Sequence, residues 1–154
     1  MQQKLFGTSG IRAIINKQLT PEHIVKIGLA IATTTNKGTI TIAHDTRTTS
    51  PMLESSLIAG LNAAGSTVYR LGLLPTPALA YLTRELKADT GIMITASHNP
   101  PQYNGIKLYN QDTTAYDEKQ QNKIESIIEN NAFKRATWQN VGTAKSTDET
   151  NRYL

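Results

Sequence analysis

The chain contains no cysteine. Disulfides, thiolate metal sites and cysteine nucleophiles are therefore excluded. It also lacks any apolar run near the roughly 18–20 residues that a membrane span needs. Residues 1–10 carry no apolar stretch of the signal-peptide kind, so a soluble, cytoplasmic protein without a membrane partner is expected. There is no internal repeat and no low-complexity tract. The 16 lysines and arginines are scattered rather than clustered, so the net charge of +4 does not amount to a nucleic-acid footprint. Few acids lie near Arg12, Lys17 and Arg47, which suits a small anionic ligand. No glycine-lysine-serine/threonine phosphate loop and no G-x-S-x-G elbow occurs, and His23, His44 and His98 lack zinc spacing.

What remains is one ordinary domain's worth of chain, 154 residues with 38% hydrophobic and 18% charged, enough for a buried core. Thr20-Pro21-Glu22 reads as a helix start: a capping residue, proline at the first helical position and an acid in the first turn. Ser50-Pro51 and Thr76-Pro77 repeat the signal, and a fourth helix is expected over about 116–130. Apolar spacing supports each, for example Leu53, Leu57 and Leu61 on one stripe. Between them, 39–43, 67–73, 91–95 and 105–109 are short and β-branched, and read as strands. An extended segment is expected at 10–15 and an edge strand around 138–141. The alternation predicts an α/β fold, a three-layer α/β/α sandwich with a mixed, largely parallel sheet. Ligands of such sheets collect beyond the carboxyl ends of the strands. The polar segments His44-Asp45-Thr46-Arg47, Pro75-Thr76-Pro77 and Ser97-His98-Asn99-Pro100 fall there.

Three segments could carry chemistry. In Thr95-Ala96-Ser97-His98-Asn99-Pro100 a strand gives way to small and polar residues, so Ser97 can be exposed beside backbone N–H groups able to hold oxyanions. Tyr103-Asn104-Gly105 reads as a tight turn, and a hairpin there would return Lys107 towards Ser97, where a lysine can supply charge and proton transfer. An ordinary surface turn fits the same residues. Phe6-Gly7-Thr8-Ser9-Gly10-Ile11-Arg12 could cradle a phosphate with N–H groups and close on it with a guanidinium, or be a chance turn. Asp45 and Arg47 could pair and shape their loop, or Arg47 could act directly.

Taken together, residues 95–100 with Tyr103-Asn104-Gly105-Ile106-Lys107 resemble the active-site signature of the α-D-phosphohexomutases. Phe6 to Arg12 is similar to that family's N-terminal motif. Asp45-Thr46-Arg47 and Gly72 with Pro75-Thr76-Pro77 follow in the family's order. Ala13 and Ala43 stand where the family often has glycine. The resemblance implies that Ser97 carries a phosphoryl group and exchanges it with a hexose phosphate through a hexose 1,6-bisphosphate. Lys107 would be the general acid/base, and Arg12 and His98 would contact the phosphoryl group or orient the acceptor. Thr8, Ser9, Arg47, Asn99 and Asn104 would bind substrate, and Mg2+ would bind an oxygen of the Ser97 phosphate. Ser9 resembles the phosphomannomutase/phosphoglucomutase branch.

Family members have four domains, and the aspartate-rich metal loop belongs to the second. No such loop occurs here. The expectation is therefore a first domain over residues 1–145, a linker over 146–154, and partners that include the remaining domains of a parent chain. Alone, such a chain should fold and catalyse nothing measurable. The rival expectation is a stand-alone phosphosugar-binding or interaction domain; a basic nucleic-acid binder is a third.

Overall fold

Proline in the first turn opens three helices, where its fixed φ is already helical and its missing N–H costs nothing. The computed structural model describes residues 4–154. In chain order the elements are β1 (Ile11–Ile14), α1 (Pro21–Thr34), β2 (Thr39–His44), α2 (Ser50–Ala63), β3 (Thr67–Leu73), α3 (Thr76–Glu85), β4 (Thr90–Ile94), β5 (Tyr103–Asn110), α4 (Glu118–Glu129), a 3-10 turn (Trp138–Asn140), β6 (Ala144–Ser146) and α5 (Thr150–Tyr153).

The strands form one sheet in the order β1-β5-β4-β2-β3-β6. β4, β2, β3 and β6 run parallel, and β5 lies antiparallel to both β4 and β1. The sheet is mixed and largely parallel, as expected. Ile40, Ile42, Ile92, Ile94 and Ile106 face one layer of helices, built by α1, α2 and α4 through Ile24, Ile31, Leu53, Leu57 and Ile124. Ala43, Leu71 and Met93 face the other layer, where α3 supplies Ala78, Leu79 and Leu82. β4 is buried along its whole length, which is why it reads as a continuous apolar run rather than an alternating one.

Three local expectations change. The predicted edge strand at 138–141 is a 3-10 turn, and the strand is β6, a few residues on. The cause is the approach to β3: Gly142 donates to Asn62 O (2.8 Å), Val68 donates to Thr143 O (2.8 Å), and a Cβ on Gly142 would lie on the Ser66 carbonyl. The chain can reach β3 only at that glycine. Tyr103-Asn104-Gly105 is not a tight turn but the start of β5; the turn is Pro100-Pro101-Gln102-Tyr103, closed by Tyr103 N–H on Pro100 O at 3.0 Å. Finally, the cap position falls one residue earlier than expected in two helices, at Thr49 rather than Ser50 for α2 and at Pro75 rather than Thr76 for α3, and the Ser50 hydroxyl turns to Asp45. In the tail, Thr147 N–H donates to Arg70 O, and Tyr153 meets Tyr81 edge-on at 5.9 Å.

Candidate active site

Beyond β4, Thr95 N–H is held by Gly105 O (3.0 Å), and the chain then swings outward at Ser97. Ser97 has φ of 57°, the left-handed region, which costs a residue with a side chain roughly 1–2 kcal/mol. Its N–H donates to Thr95 Oγ1 at 2.9 Å. Asn99 fastens the turn, with its N–H (3.1 Å) and Nδ2 (3.0 Å) both donating to Ala96 O. The side chains of Ser97 and His98 are exposed, and Ser97 Oγ lies 3.4 Å from His98 Nδ1.

Arg47 lies beneath this loop. Its guanidinium donates to four carbonyls: Nη1 to Pro100 O (2.8 Å) and Tyr103 O (2.9 Å), Nη2 to Ser97 O (3.0 Å) and Asn99 O (2.7 Å). Nε forms an ion pair with Asp45 Oδ2 at 3.3 Å, both terminal nitrogens are fully engaged, and the side chain is only 12% exposed. Of the two roles open to Arg47 from sequence, the geometry shows loop shaping: the four terminal N–H donors are taken by carbonyls in this arrangement. Asp45 is equally occupied. Oδ1 accepts from Arg47 N–H and Ser50 Oγ, both at 3.0 Å, and Oδ2 accepts from Thr95 Oγ1 at 2.8 Å. Asn104, expected at the substrate, is fully buried: Nδ2 donates to Thr49 Oγ1 (2.9 Å) and Ser50 Oγ (3.0 Å), and Oδ1 accepts from Gly105 N–H (2.9 Å).

The N-terminal segment is fixed along the other side of β5 by a different device. β1 lies along β5 with Arg12 opposite Gly105. A Cβ on Gly105 would sit 2.1 Å from Ile11 O and 2.9 Å from Thr95 O, and one on Gly10 would sit 2.4 Å from Ile106 O. Only glycine permits backbones this close. Thr8, Ser9 and Gly10 consequently share a small cavity of about 240 Å³ with Lys107, Tyr109 and Tyr116. Lys107 pairs with Met93, four residues before Ser97, and strand alternation puts it on the same sheet face as Arg12. The hairpin is therefore real, while Lys107 is brought beside Thr8 and Ser9 rather than into contact with Ser97. Arg12 is exposed and also borders a cleft of about 320 Å³ with Lys4, His23 and Lys26.

Burial raises the Tyr116 phenol above its ordinary value, an effect opposed by the Thr90 hydroxyl, and burial likewise raises Tyr109. As to the implied magnesium, no three His, Asp or Glu side chains converge among the described residues. Asp45, the carboxylate bonded into this loop, is already bound to Arg47, Ser50 and Thr95. The described side chains do not by themselves compose a magnesium site.

A family model described as the phosphoglucomutase/phosphomannomutase α/β/α domain I matches residues 3–135. The chain belongs to that family. Mutase relatives include a probable phosphoglucosamine mutase of Pyrococcus abyssi, 46% identical over 98% of this chain and 34% of its own length. A phosphoglucosamine mutase of Methanococcus maripaludis is 51% identical over 96% of this chain and 31% of its own. Among solved structures, a phosphoglucomutase/phosphomannomutase family protein from Burkholderia thailandensis superposes with a TM-score of 0.85 at 28% identity, covering 99% of this chain and 35% of that one. A putative phosphomannomutase from Thermus thermophilus gives 0.81 at 30% identity, covering 99% of this chain and 35% of that one. The chain spans about a third of the length of these mutases.

Within this mutase domain, Thr95, Thr49 and Ser50 are the site residues that sequence reading missed. Thr95 had a signal, a hydroxyl two residues before a turn serine, which is the spacing of a local side chain to N–H bond. Thr49 and Ser50 had none, since their partner Asn104 is more than fifty residues away.

Proposed function

We propose that this chain is the serine-bearing first domain of a phosphohexomutase, which moves a phosphoryl group between the 1- and 6-positions of a hexose phosphate through phosphoserine at Ser97. The observation that carries this reading is an exposed serine hydroxyl held in a left-handed backbone conformation on a loop whose carbonyls are drawn inward by a buried arginine. Phosphoryl transfer depends chiefly on such positioning and on charge neutralisation. As the phosphoryl group leaves Ser97, the Oγ–P bond breaks, a bond from phosphorus to a sugar oxygen forms, and that hydroxyl releases its proton. Lys107 is assigned the proton transfer at the sugar oxygen, and His98, in contact with Oγ, attends the departing serine oxygen. Thr8, Ser9 and Arg12 face the phosphorylated substrate. Magnesium, when bound, would neutralise charge on the phosphoryl oxygens, and this chain's contribution to its site would be the Ser97 phosphate.

The remaining ligands and the sugar-selecting groups would come from further domains, reached through residues 146–154. The 154-residue chain alone is therefore expected to be inactive. The relatives' names favour glucosamine phosphate as the first substrate to test, ahead of the mannose and glucose phosphates suggested by Ser9. Cytoplasmic residence is part of this proposal; the structure adds that none of its described helices is long and apolar enough to cross a membrane.

Full-length enzyme should interconvert the 1- and 6-phosphates of at least one of these three sugars. Lys107→Ala should slow that turnover at least a hundredfold, in the range of general acid/base effects. Binding of all three sugar phosphates with no interconversion would replace the mutase reading with a binding domain.

A further inference from the structure

The Ser97 loop closes on Arg47 in a way that orients more than the carbonyls. All peptide bonds in it are trans. In a trans peptide the C=O and N–H point in opposite directions. Because Ser97 O is drawn to the buried guanidinium, the N–H of the same peptide unit, that of His98, is directed to the opposite, exposed side. This N–H has no protein acceptor among the described residues. The next two carbonyls on Arg47 belong to Asn99 and Pro100, and each precedes a proline, so their peptide units have no N–H to place. The fork thus gathers carbonyl oxygens on the inside and leaves one N–H free beside the serine hydroxyl.

The same fork opposes the cost of the left-handed conformation at Ser97. Asp45 fixes the guanidinium at Nε and, through Thr95 Oγ1, also fixes the acceptor of Ser97 N–H. Both ends of the serine's backbone are therefore set by one arginine–aspartate pair, 50 residues away in sequence. A lysine at position 47 would carry the charge but could not reach four carbonyls from a planar fork.

Resting on the serine chemistry proposed above, we infer that Arg47 is a positioning residue: it holds the Ser97 hydroxyl and the free His98 N–H in the geometry that accepts a phosphoryl group, and it does not bind the sugar phosphate. Its loss acts on the rate of transfer and leaves substrate affinity alone. A displacement of about an ångström at a reacting group costs on the order of a hundredfold in rate.

The test is single-turnover labelling of the full-length enzyme by a hexose bisphosphate carrying labelled phosphate, over a range of concentrations. Arg47→Ala and Arg47→Lys should both lower the maximal labelling rate about a hundredfold, with the half-saturating concentration unchanged. A raised half-saturating concentration at an unchanged maximal rate would make Arg47 a substrate ligand and overturn the inference, as would normal labelling in both variants. Should the variants fail to fold, the wild-type enzyme still decides. The guanidinium nitrogen resonances of Arg47 should stay in place on saturation with the bisphosphate, and a shift to those of a phosphate-bound guanidinium would overturn the inference. Ser97→Ala separates the two levels: label retained by that variant defeats the serine chemistry and this inference together, whereas normal labelling in the Arg47 variants with none in Ser97→Ala defeats this inference alone.

Discussion

Two segments that flank β5 carry exposed hydroxyl groups, and they are fixed in opposite ways. Residues 7–12 are held by backbone lying against backbone, with Gly10 and Gly105 leaving no room for a side chain. Residues 95–103 are held by side chains, chiefly the Arg47 fork and the Asp45 carboxylate. The first device is steric and local to a strand pair. The second is polar and reaches from the end of β2 across to the far side of β4. A segment held by close approach tolerates no added atom, whereas one held by a hydrogen-bonded fork tolerates no loss of a donor.

The steric side should be the more fragile to growth. Gly105→Ala puts a methyl group onto two backbone carbonyls, neither of which can yield cheaply. It should cost about 3 kcal/mol in denaturant unfolding, at the upper end of overpacking effects. A loss under about 0.5 kcal/mol would mean that β1 and β5 part more easily than described.

Asn104 sharpens the comparison because it touches both devices: its amide ties the start of α2, and its carbonyl oxygen holds Gly105 N–H. Asn104→Ala removes the side-chain bonds to Thr49 and Ser50 and leaves the buried Gly105 N–H without its acceptor. About 2 kcal/mol should be lost, with Ser97 labelling reduced as well. A labelling rate untouched by the substitution would separate the network from the chemistry.

Away from the site, the capping box of α4, in which Asp117 and Gln120 bond each other's backbone N–H, serves as a control. Asp117→Ala should cost about 1 kcal/mol and leave labelling unchanged.

The smallest effect concerns pH. Burial raises Tyr116 in the folded state, so its contribution is intact below the ordinary tyrosine value and is lost as pH rises through the higher folded one. Stability should begin to decline above about pH 10, and Tyr116→Phe should flatten that decline. An unchanged alkaline slope would assign it to other groups, Tyr109 first.

Much of this fold was legible because the sequence punctuates it. Three prolines mark three helix starts, and β-branched runs between them mark the parallel strands. Ser97 was legible for the same reason, as small and polar residues directly following a buried strand. What was not legible depends on distance in sequence. The turn belongs to Pro100 and Pro101 rather than to Asn104-Gly105, since Gly105 serves a strand contact with Ile11 that local turn chemistry cannot reveal. The edge strand moved past Trp138 because Gly142 alone can approach Ser66. The occupation of Arg47 and Asn104 was hidden likewise: polar residues in a loop look available for a ligand until the fold shows that their donors are taken by carbonyls and hydroxyls brought from afar.

The most direct measurement is to label full-length enzyme with a hexose bisphosphate, digest it and locate the label by mass spectrometry. The account predicts a single labelled residue, Ser97, discharged when a hexose monophosphate is added. Label on another residue, or an enzyme that turns over sugar phosphates without ever carrying label at Ser97, would contradict it.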